Sequence, residues 1–177
     1  PSNFFQSVGA LGGGSVRLEA GRDVMNVDAV LPTNARMAKG VPSSERMVEY
    51  GGGDLVVRAG RDVSGGVFYV ERGRGLITAS GAVTTNAARS VSLTNLRPGD
   101  AGESELSWMP TTLFVGKSRF DVVANGDVLL GPVANPFLLP AGIGNTFWYK
   151  TYFSTYSETA GLDVVSLGGD VTLRRNV

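Results

Sequence analysis

One phrase occurs twice in the chain, at residues 12–24 and 51–63, and the two copies align without a gap. In the first copy Val16, Leu18 and Ala20 alternate with mostly polar neighbours, and the second copy repeats this pattern. Such a period of two is typical of a β-strand with one buried face. Glycines precede the strand and a Gly-Arg-Asp tripeptide follows it, and both are turn signals. The sequence therefore predicts short strands joined by tight turns in a repeat architecture.

Looser echoes of the phrase follow at residues 120–128 and 162–171. Between residues 63 and 93 several short apolar stretches are separated by only a few positions, which leaves no room for the helix of a βαβ crossover. The chain also contains 25 glycines and 8 prolines, many of them at the joints between repeats. Together these features predict an all-β chain of parallel strands connected by turns.

In the last of these segments, residues 162–171, the sequence does not decide which residues face the interior. Either Val165 and Leu167 face the interior, or the turn is one residue shorter and Leu162 and Val164 face it. Both choices keep the alternation of a strand.

Three stretches depart from the repeat and are predicted to be loop excursions. Residues 32–44 contain prolines and a glycine, and are interpreted as a surface loop, after which residues 45–50 could return to the stack as a strand. Residues 97–110 are polar. Residues 134–160 have an Asn-Pro pair at residues 135–136 and contain a dense aromatic cluster.

The overall composition excludes several classes of function. Sixteen basic and 16 acidic residues cancel, so the net charge favours neither nucleic acid nor an anionic membrane as a partner. Cysteine and histidine are both absent, which removes disulfides, thiolate chemistry, Ser-His triads and nearly every zinc site. No apolar run approaches the roughly 20 residues of a membrane-spanning helix, so membrane insertion is not expected.

Aspartates recur at the turns that end the phrases, and with them arginines. The four aspartates are Asp23, Asp62, Asp127 and Asp170, and the arginines are Arg22 and Arg61. The chain lacks the nonapeptide with which repeat β-rolls bind calcium, so no metal or other cofactor is expected. Each aspartate is instead predicted to accept backbone N–H bonds within its own turn. The arginines could pair with these carboxylates or with neighbouring repeats.

No catalytic pair is recognisable in the sequence. Asp100, Glu103 and Glu105 are clustered, but proline and glycine surround them, and a solvated acidic loop is the favoured interpretation. Polysaccharide hydrolases need two carboxyl groups at a defined separation. The chain is therefore expected not to be an enzyme.

Residues 147–156 are the best candidate for recognition, because exposed Trp and Tyr rings stack on sugars or anchor protein partners. The candidate ligand-binding residues are Trp148, Tyr149, Lys150, Tyr152 and Tyr156. The alternative, which the irregular spacing favours, is that the aromatic segment folds back and buries itself on apolar surface.

The phrases resemble the internal repeats of filamentous haemagglutinin-type exoproteins, which are large bacterial surface proteins exported by two-partner secretion. The resemblance rests on residues 18–24, 57–63 and 120–130, on the segments 133–140 and 152–156, and on residues 167–173. It implies a right-handed parallel β-helix, secretion to a Gram-negative cell surface (extracellular), and a role in cell adhesion. The secretion-directing N-terminal domain of that family is not identifiable in this chain.

On this resemblance, residues 1–177 are expected to be a single β-helix segment of a longer exoprotein. It would be a structural and adhesive segment that binds a host or neighbouring-cell surface. The partners implied are a cell-surface protein or carbohydrate and, for the full-length chain, an outer-membrane secretion partner. Two alternatives stay open: a β-helical polysaccharide-binding or -degrading protein, and the shaft of a contact-dependent growth inhibition toxin.

Overall fold

The structure is a computed structural model, and it describes residues 8–37, 39–40, 43–86, 111–135 and 157–173. Within these ranges the regular elements are β-strands, apart from one short 3-10 turn at Ser44–Arg46. The prediction of an all-β chain is therefore confirmed. The predicted excursion at residues 97–110 and most of that at residues 134–160 lie outside the described part of the chain.

Three kinds of strand follow one another along the chain, and we name them a, b and c. The a strands are β2 (Val16–Ala20), β7 (Leu55–Ala59), the second half of β9 (Val67–Ala79), the second half of β11 (Thr112–Ala124) and β14 (Gly161–Ser166). The b strands are β3 (Val24–Met25), β8 (Val63–Ser64), β10 (Val83–Thr84), β12 (Val128–Leu130) and β15 (Val171–Leu173). The c strands are β1 (Val8–Gly9), β4 (Ala29–Leu31), the first halves of β9 and β11, and β13 (Val133–Ala134).

We call an a strand, with the b and c strands that follow it, a tier. Strands of the same kind pair in parallel from one tier to the next. The register of the b strands runs through Val24, Val63, Val83, Val128 and Val171. The a and c strands together form an eight-stranded sheet, and the b strands form a five-stranded sheet. The repeated phrase therefore places the same residue type at the same position of successive tiers.

The length of the basic repeat is the smallest number of sequence positions between equivalent residues of two consecutive tiers. Asp62 and Ala82, which hold the same place in tiers 2 and 3, are 20 positions apart. Asp23 and Asp62, in tiers 1 and 2, are 39 positions apart. The longer spacing arises because a hairpin, β5 (Thr33–Met37) and β6 (Met47–Gly51), is inserted between β4 and β7. An excursion thus lengthens the chain between tiers without changing the strand register.

This hairpin corrects two predictions. Residues 32–44 were expected to form a loop, but Thr33–Met37 is a strand. The strand expected near residues 45–50 exists, yet it pairs antiparallel with β5 in a separate two-stranded sheet and does not join the stack. Local alternation predicts a strand but does not reveal its partner, and a nearby complementary strand pairs with a low loop-closure cost.

The interior between the two sheets is filled by the inward residues of all tiers. Its largest fully buried side chains are Phe68, Phe120, Leu31, Leu55, Ile77, Leu113, Leu130, Val57, Val63, Val70, Val83 and Val122. In tier 5 Leu162 and Val164 pack against this core, whereas Val165 and Leu167 are exposed. The second of the two registers considered for the last echo is therefore the one observed.

Two of the three glycines at the start of each copy of the phrase adopt the left-handed backbone conformation. Gly13 and Gly14 have φ of 107° and 98°, and Gly51 and Gly52 have φ of 90° and 82°. A Cβ atom on Gly13 would also lie 3.2 Å from the Gly51 Cα. Consecutive tiers approach so closely here that glycine is required at this corner for space as well as for conformation.

Candidate functional site

Charged side chains form a row on the outer face of the eight-stranded sheet, where β9, β11 and β14 lie side by side. Arg72 is in register with Lys117, and Arg74 with Arg119. Because alternate residues of a strand point to the same face, these four cations and Asp121 lie on one side of the sheet. We call them, with Asp163 of β14, the charged row.

Within the row the cations are paired with carboxylates of adjacent strands. Arg74 donates from Nε to Asp121 Oδ2 at 2.5 Å, and Arg119 Nε lies 3.8 Å from Asp121 Oδ1. Arg119 also donates to Asp163. The hydrogen bond from Arg74 to Asp121 raises the pKa of that guanidinium. The two arginines therefore tie three consecutive tiers together through charge-assisted hydrogen bonds.

The inserted hairpin reaches the charged row through one residue. Glu49 of β6 accepts from Arg72 and from Lys117, whose Nζ lies 3.2 Å from Glu49 Oε1. The side chain of Glu49 is one-quarter exposed, so these ion pairs are partly shielded from water. The hairpin is thus anchored against the sheet at a defined position.

An open groove of about 430 Å³ lies beside the row. It is lined by Gly73, Arg74, Lys117, Ser118, Arg119 and Thr159. The hydroxyl of Ser118 is not available to a ligand, because it is buried and donates to the Val70 carbonyl at 2.6 Å. The groove is therefore lined by cations that are already paired with protein carboxylates, together with the side chain of Thr159. Guanidinium and ammonium groups suit a carboxylate or another oxyanion.

Asp121 and Asp163 form a pair of carboxylates on one face. They are register partners on neighbouring parallel strands, which places their Cα atoms about 4.8 Å apart. Glycosidases likewise use two carboxyl groups that lie close together on one face, about 5–5.5 Å apart in retaining enzymes and about 6.5–9.5 Å apart in inverting enzymes. Both carboxylates, however, accept from guanidiniums, whereas a glycosidase general acid must carry a proton.

Sequence reasoning missed this row. Its members stand at polar positions of the strands, where charged residues are ordinarily solvated, and Arg119 and Asp163 are 44 positions apart. The available signal was the density of alternating charges in residues 117–121. Only the tier register brings these side chains together.

A smaller apolar cavity of about 210 Å³ lies nearby. Its lining residues are Val115, Val133, Ala134, Ala160, Gly161 and Leu162. None of these described lining residues carries a charge, and their side chains offer apolar contact.

A buried polar pair, Tyr69 and Glu71, lies on β9. The two residues are 8% and 5% exposed, and the Tyr69 hydroxyl donates to Glu71 Oε2 at 2.8 Å. Burial, and secondarily the hydrogen bond to the carboxylate, raises the pKa of Tyr69. Gly116 on the adjacent strand makes room for the carboxylate, since a Cβ atom there would lie 1.9 Å from Glu71 Oε2. The pair is an internal polar contact and does not open into the groove.

The turn aspartates act between tiers, which corrects the prediction that each serves its own turn. Asp23 Oδ1 accepts from the Asp62 N–H at 3.2 Å, and Asp62 Oδ1 accepts from the Ala82 N–H at 2.8 Å. Asp127 Oδ1 likewise accepts from the Asp170 N–H at 2.9 Å. The physical reason is that the tiers stack so closely that the neighbouring turn presents its N–H group directly to the carboxylate. We call this column the aspartate row.

Arg61 reinforces the aspartate row across the same gap. Its Nε donates to Asp23 Oδ1 at 2.7 Å, and its Nη2 donates to Asp23 Oδ2. The hydrogen bond from Arg61 lowers the pKa of Asp23, and the same bond raises that of Arg61. Of the two pairings considered for this arginine, the closer contact is with the neighbouring tier, since Asp62 of its own turn lies 3.6 Å away.

Several predicted site residues lie outside the described part of the chain. They are the aromatic cluster with its lysine, namely Trp148, Tyr149, Lys150, Tyr152 and Tyr156. Asp100, Glu103 and Glu105, which were interpreted as a solvated acidic loop, also lie outside the described residues. Their proposed roles stay predictions.

Among the described residues no group of three or more acidic side chains is placed to hold a metal ion. In the same part of the chain no helix has the length and apolar character needed to cross a membrane. No family model, curated protein or solved structure matches the chain.

Proposed function

We propose that this chain is a right-handed parallel β-helix that serves as a stiff spacer and presents an adhesive surface. The observation that supports it most is the register of the b strands, which runs unbroken through five tiers. The aspartate row bridges the turns of tiers 1 and 2, of tiers 2 and 3, and of tiers 4 and 5. We expect the coil to be right-handed, because crossover connections between parallel strands of one sheet are generally right-handed.

Stiffness follows from this arrangement. Every tier pairs its backbone groups with the tiers beside it and shares one apolar interior with them. Each added tier lengthens the structure by about 4.8 Å, the spacing between neighbouring strands. A crystal structure with left-handed coils, or with tiers that do not stack, would contradict this part of the proposal.

The proposal extends to origin and location. The chain would belong to the filamentous haemagglutinin-like exoproteins, leave the cell by two-partner secretion and be displayed on a bacterial surface. Its ligand would be a protein or carbohydrate on a host or neighbouring cell. Support comes from the repeated phrase and from excursions, such as the hairpin β5–β6, that leave the stack at turns and offer surfaces for binding.

A cell-binding assay tests the adhesive role. Fluorescently labelled chain is applied to epithelial cells and to bacterial cells, before and after the cells are treated with protease or with glycosidases. We expect saturable binding that one of the two treatments removes. Trp148→Ala and Tyr149→Ala test the aromatic cluster, Lys117→Ala tests the groove and Arg36→Ala tests the hairpin. Arg17→Ala, on β2, is the matched control, since Arg17 is also an exposed, ion-paired cation. Absence of saturable binding to either cell type would refute the adhesive role.

A polysaccharide-acting protein is the second candidate, and the carboxylate pair Asp121 and Asp163 is the observation that favours it. We propose that these residues hold arginines and do not catalyse turnover. Incubation of the purified chain with a panel of polysaccharides should therefore release no reducing or unsaturated ends. Release that is abolished by Asp121→Asn would establish the second candidate in place of the first.

A further inference from the structure

The hairpin β5–β6 turns one of its two faces away from the stack. Glu49 accepts from Arg72 of the charged row, so the side of the hairpin that carries Glu49 faces the sheet. Because neighbouring residues of a strand point to opposite sides, Val48 and Tyr50, which flank Glu49, point outward. Their side chains are 39% and 53% exposed, in agreement with this orientation. The outward side therefore offers an aromatic ring to a partner.

The paired strand adds two polar side chains to the same side. Asn34 is the register partner of Tyr50, and Arg36 is the register partner of Val48. Opposite residues of an antiparallel pair point to one side with their Cβ atoms about 4.5–5.5 Å apart, and diagonal neighbours lie about 7–8 Å apart. An aromatic ring, an amide and a guanidinium are thus grouped within the width of one sugar ring and its substituents. We call Asn34, Arg36, Val48 and Tyr50 the hairpin face.

Asn34 is held in one orientation. Its Nδ2 donates to the Leu11 carbonyl at 2.7 Å. A backbone carbonyl can only accept a hydrogen bond, so this contact determines which end of the amide is the nitrogen. The Oδ1 atom receives no donor within the described ranges, and it is an acceptor for a ligand hydroxyl. Since Glu49 also fixes the hairpin to the sheet, the hairpin face is positioned before a ligand binds.

Arg36 gives the hairpin face a positive charge that no described carboxylate neutralises. The residue is exposed, and its guanidinium makes no ion pair or hydrogen bond with the described part of the chain. The only acidic residue on the two strands is Glu49, which faces the stack. The cations of the charged row, by contrast, are paired with carboxylates. The hairpin face is therefore complementary to an anionic ligand.

We propose that the hairpin face binds a D-hexuronic acid residue of an acidic polysaccharide. The exposed ring of Tyr50 stacks on the C–H face of the pyranose. The carboxylate at C5 of the sugar is equatorial and projects in the plane of the ring, which directs it sideways to Arg36 on the diagonal. Asn34 Oδ1 accepts from a sugar hydroxyl. An acidic peptide offers the carboxylate without the ring. Such a ligand would serve the adhesive role proposed above, on which this inference rests.

Calorimetric titration of the purified chain with tetragalacturonate tests this site. The fully methyl-esterified tetragalacturonate has the same rings without their charge, and should bind at least about tenfold more weakly. Arg36→Ala should weaken binding of the acid by a similar factor. Tyr50→Ala should weaken it about tenfold, whereas Tyr50→Phe, which keeps the ring, should stay within about threefold of the unmodified chain. Arg17→Ala removes an exposed cation from β2 and should leave binding unchanged.

Tetraglutamate serves as the acidic peptide in the same titration, and should bind at least about tenfold more weakly than tetragalacturonate. Melting curves identical to that of the unmodified chain confirm that each variant is folded. Absence of tetragalacturonate binding, equal binding of its methyl ester or of tetraglutamate, or full binding by Tyr50→Ala and Arg36→Ala would overturn the hexuronate site. The cell-binding assay would then still decide the adhesive role. A chain that binds tetragalacturonate but no cell would support the site and contradict the adhesive role alone.

Discussion

The strongest test of tier packing is the contact between Gly75 and Phe120. The two residues are register partners on β9 and β11, and their neighbours in the same column are Leu55 and Leu162. Phe120 is fully buried. A Cβ atom on Gly75 would lie 2.2 Å from Phe120 Cε1. The ring of Phe120 therefore occupies the space that a side chain at position 75 would need.

These distances set the size of the expected effects. Phe120→Ala removes a fully buried ring and should lower the free energy of unfolding by about 3–5 kcal/mol. Gly75→Ala forces the ring aside and should cost about 1–3 kcal/mol through overpacking. In the Phe120→Ala background the added methyl group enters an empty space, so its cost should vanish. The double variant should therefore be about 1–3 kcal/mol more stable than the sum of the single changes implies.

Urea unfolding followed by circular dichroism measures all four members of the cycle. A matched control cycle combines Gly75→Ala with Leu31→Ala, since Leu31 is fully buried but lies on a c strand of tier 1. This control should be additive. Additivity within about 0.5 kcal/mol in the Gly75 and Phe120 cycle would refute the contact between these tiers.

Three further predictions concern polar groups between and within tiers. Ala82→Asp should raise the free energy of unfolding by about 0.5–1.5 kcal/mol in urea unfolding, because a carboxylate there would accept the Asp127 N–H and complete the aspartate row. A free energy of unfolding no higher than that of Ala82→Ser would contradict this prediction. Tyr69→Phe should cost about 1–3 kcal/mol at neutral pH by leaving the buried Glu71 carboxylate without its donor. The folded-state pKa of Tyr69 is raised above its ordinary 10.0, so the stability that this shift contributes is present below pH 10 and is lost as the pH rises further. The melting temperature of the Tyr69→Phe variant should therefore lack this decrease at alkaline pH. The pKa of Asp23 is instead lowered from 3.8, mainly by the hydrogen bond from Arg61, so its contribution to stability is present above that pH and is lost as the pH falls through the lower folded value. Asp23→Asn should therefore flatten the decrease of the melting temperature at acidic pH. An unchanged decrease would contradict the contribution of the Asp23 and Arg61 pair.

Much of the strand pattern could be predicted from the sequence. Alternation placed Val57 and Leu55 in the interior, and the glycines at residues 12–14 and 51–53 marked a corner, because both signals depend on neighbouring residues alone. The inward face of β14 was ambiguous, since its apolar residues occupy both faces. Burial against the preceding tier selects Leu162 and Val164.

Contacts between tiers could not be predicted in the same way. The antiparallel pairing of β5 with β6 and the inter-tier role of Asp23 both depend on which backbone lies alongside. The charged row joins Glu49 to Lys117 across 68 positions of sequence. Charges at such separations show no common pattern until the tier register is known, and the register itself is altered by excursions of unequal length.

The central claim, that tiers stack in chain order, is tested most directly by distances between nitroxide labels. The chain has no native cysteine, so labels attach only where cysteine is introduced, at Met25, Ser64 and Thr172 on b strands of tiers 1, 2 and 5. Double electron–electron resonance should give a separation of about 19 Å from Met25 to Thr172 and about 14 Å from Ser64 to Thr172, because each tier adds about 4.8 Å. Equal separations, or a shorter distance from Met25 than from Ser64, would contradict the stacked order of the tiers.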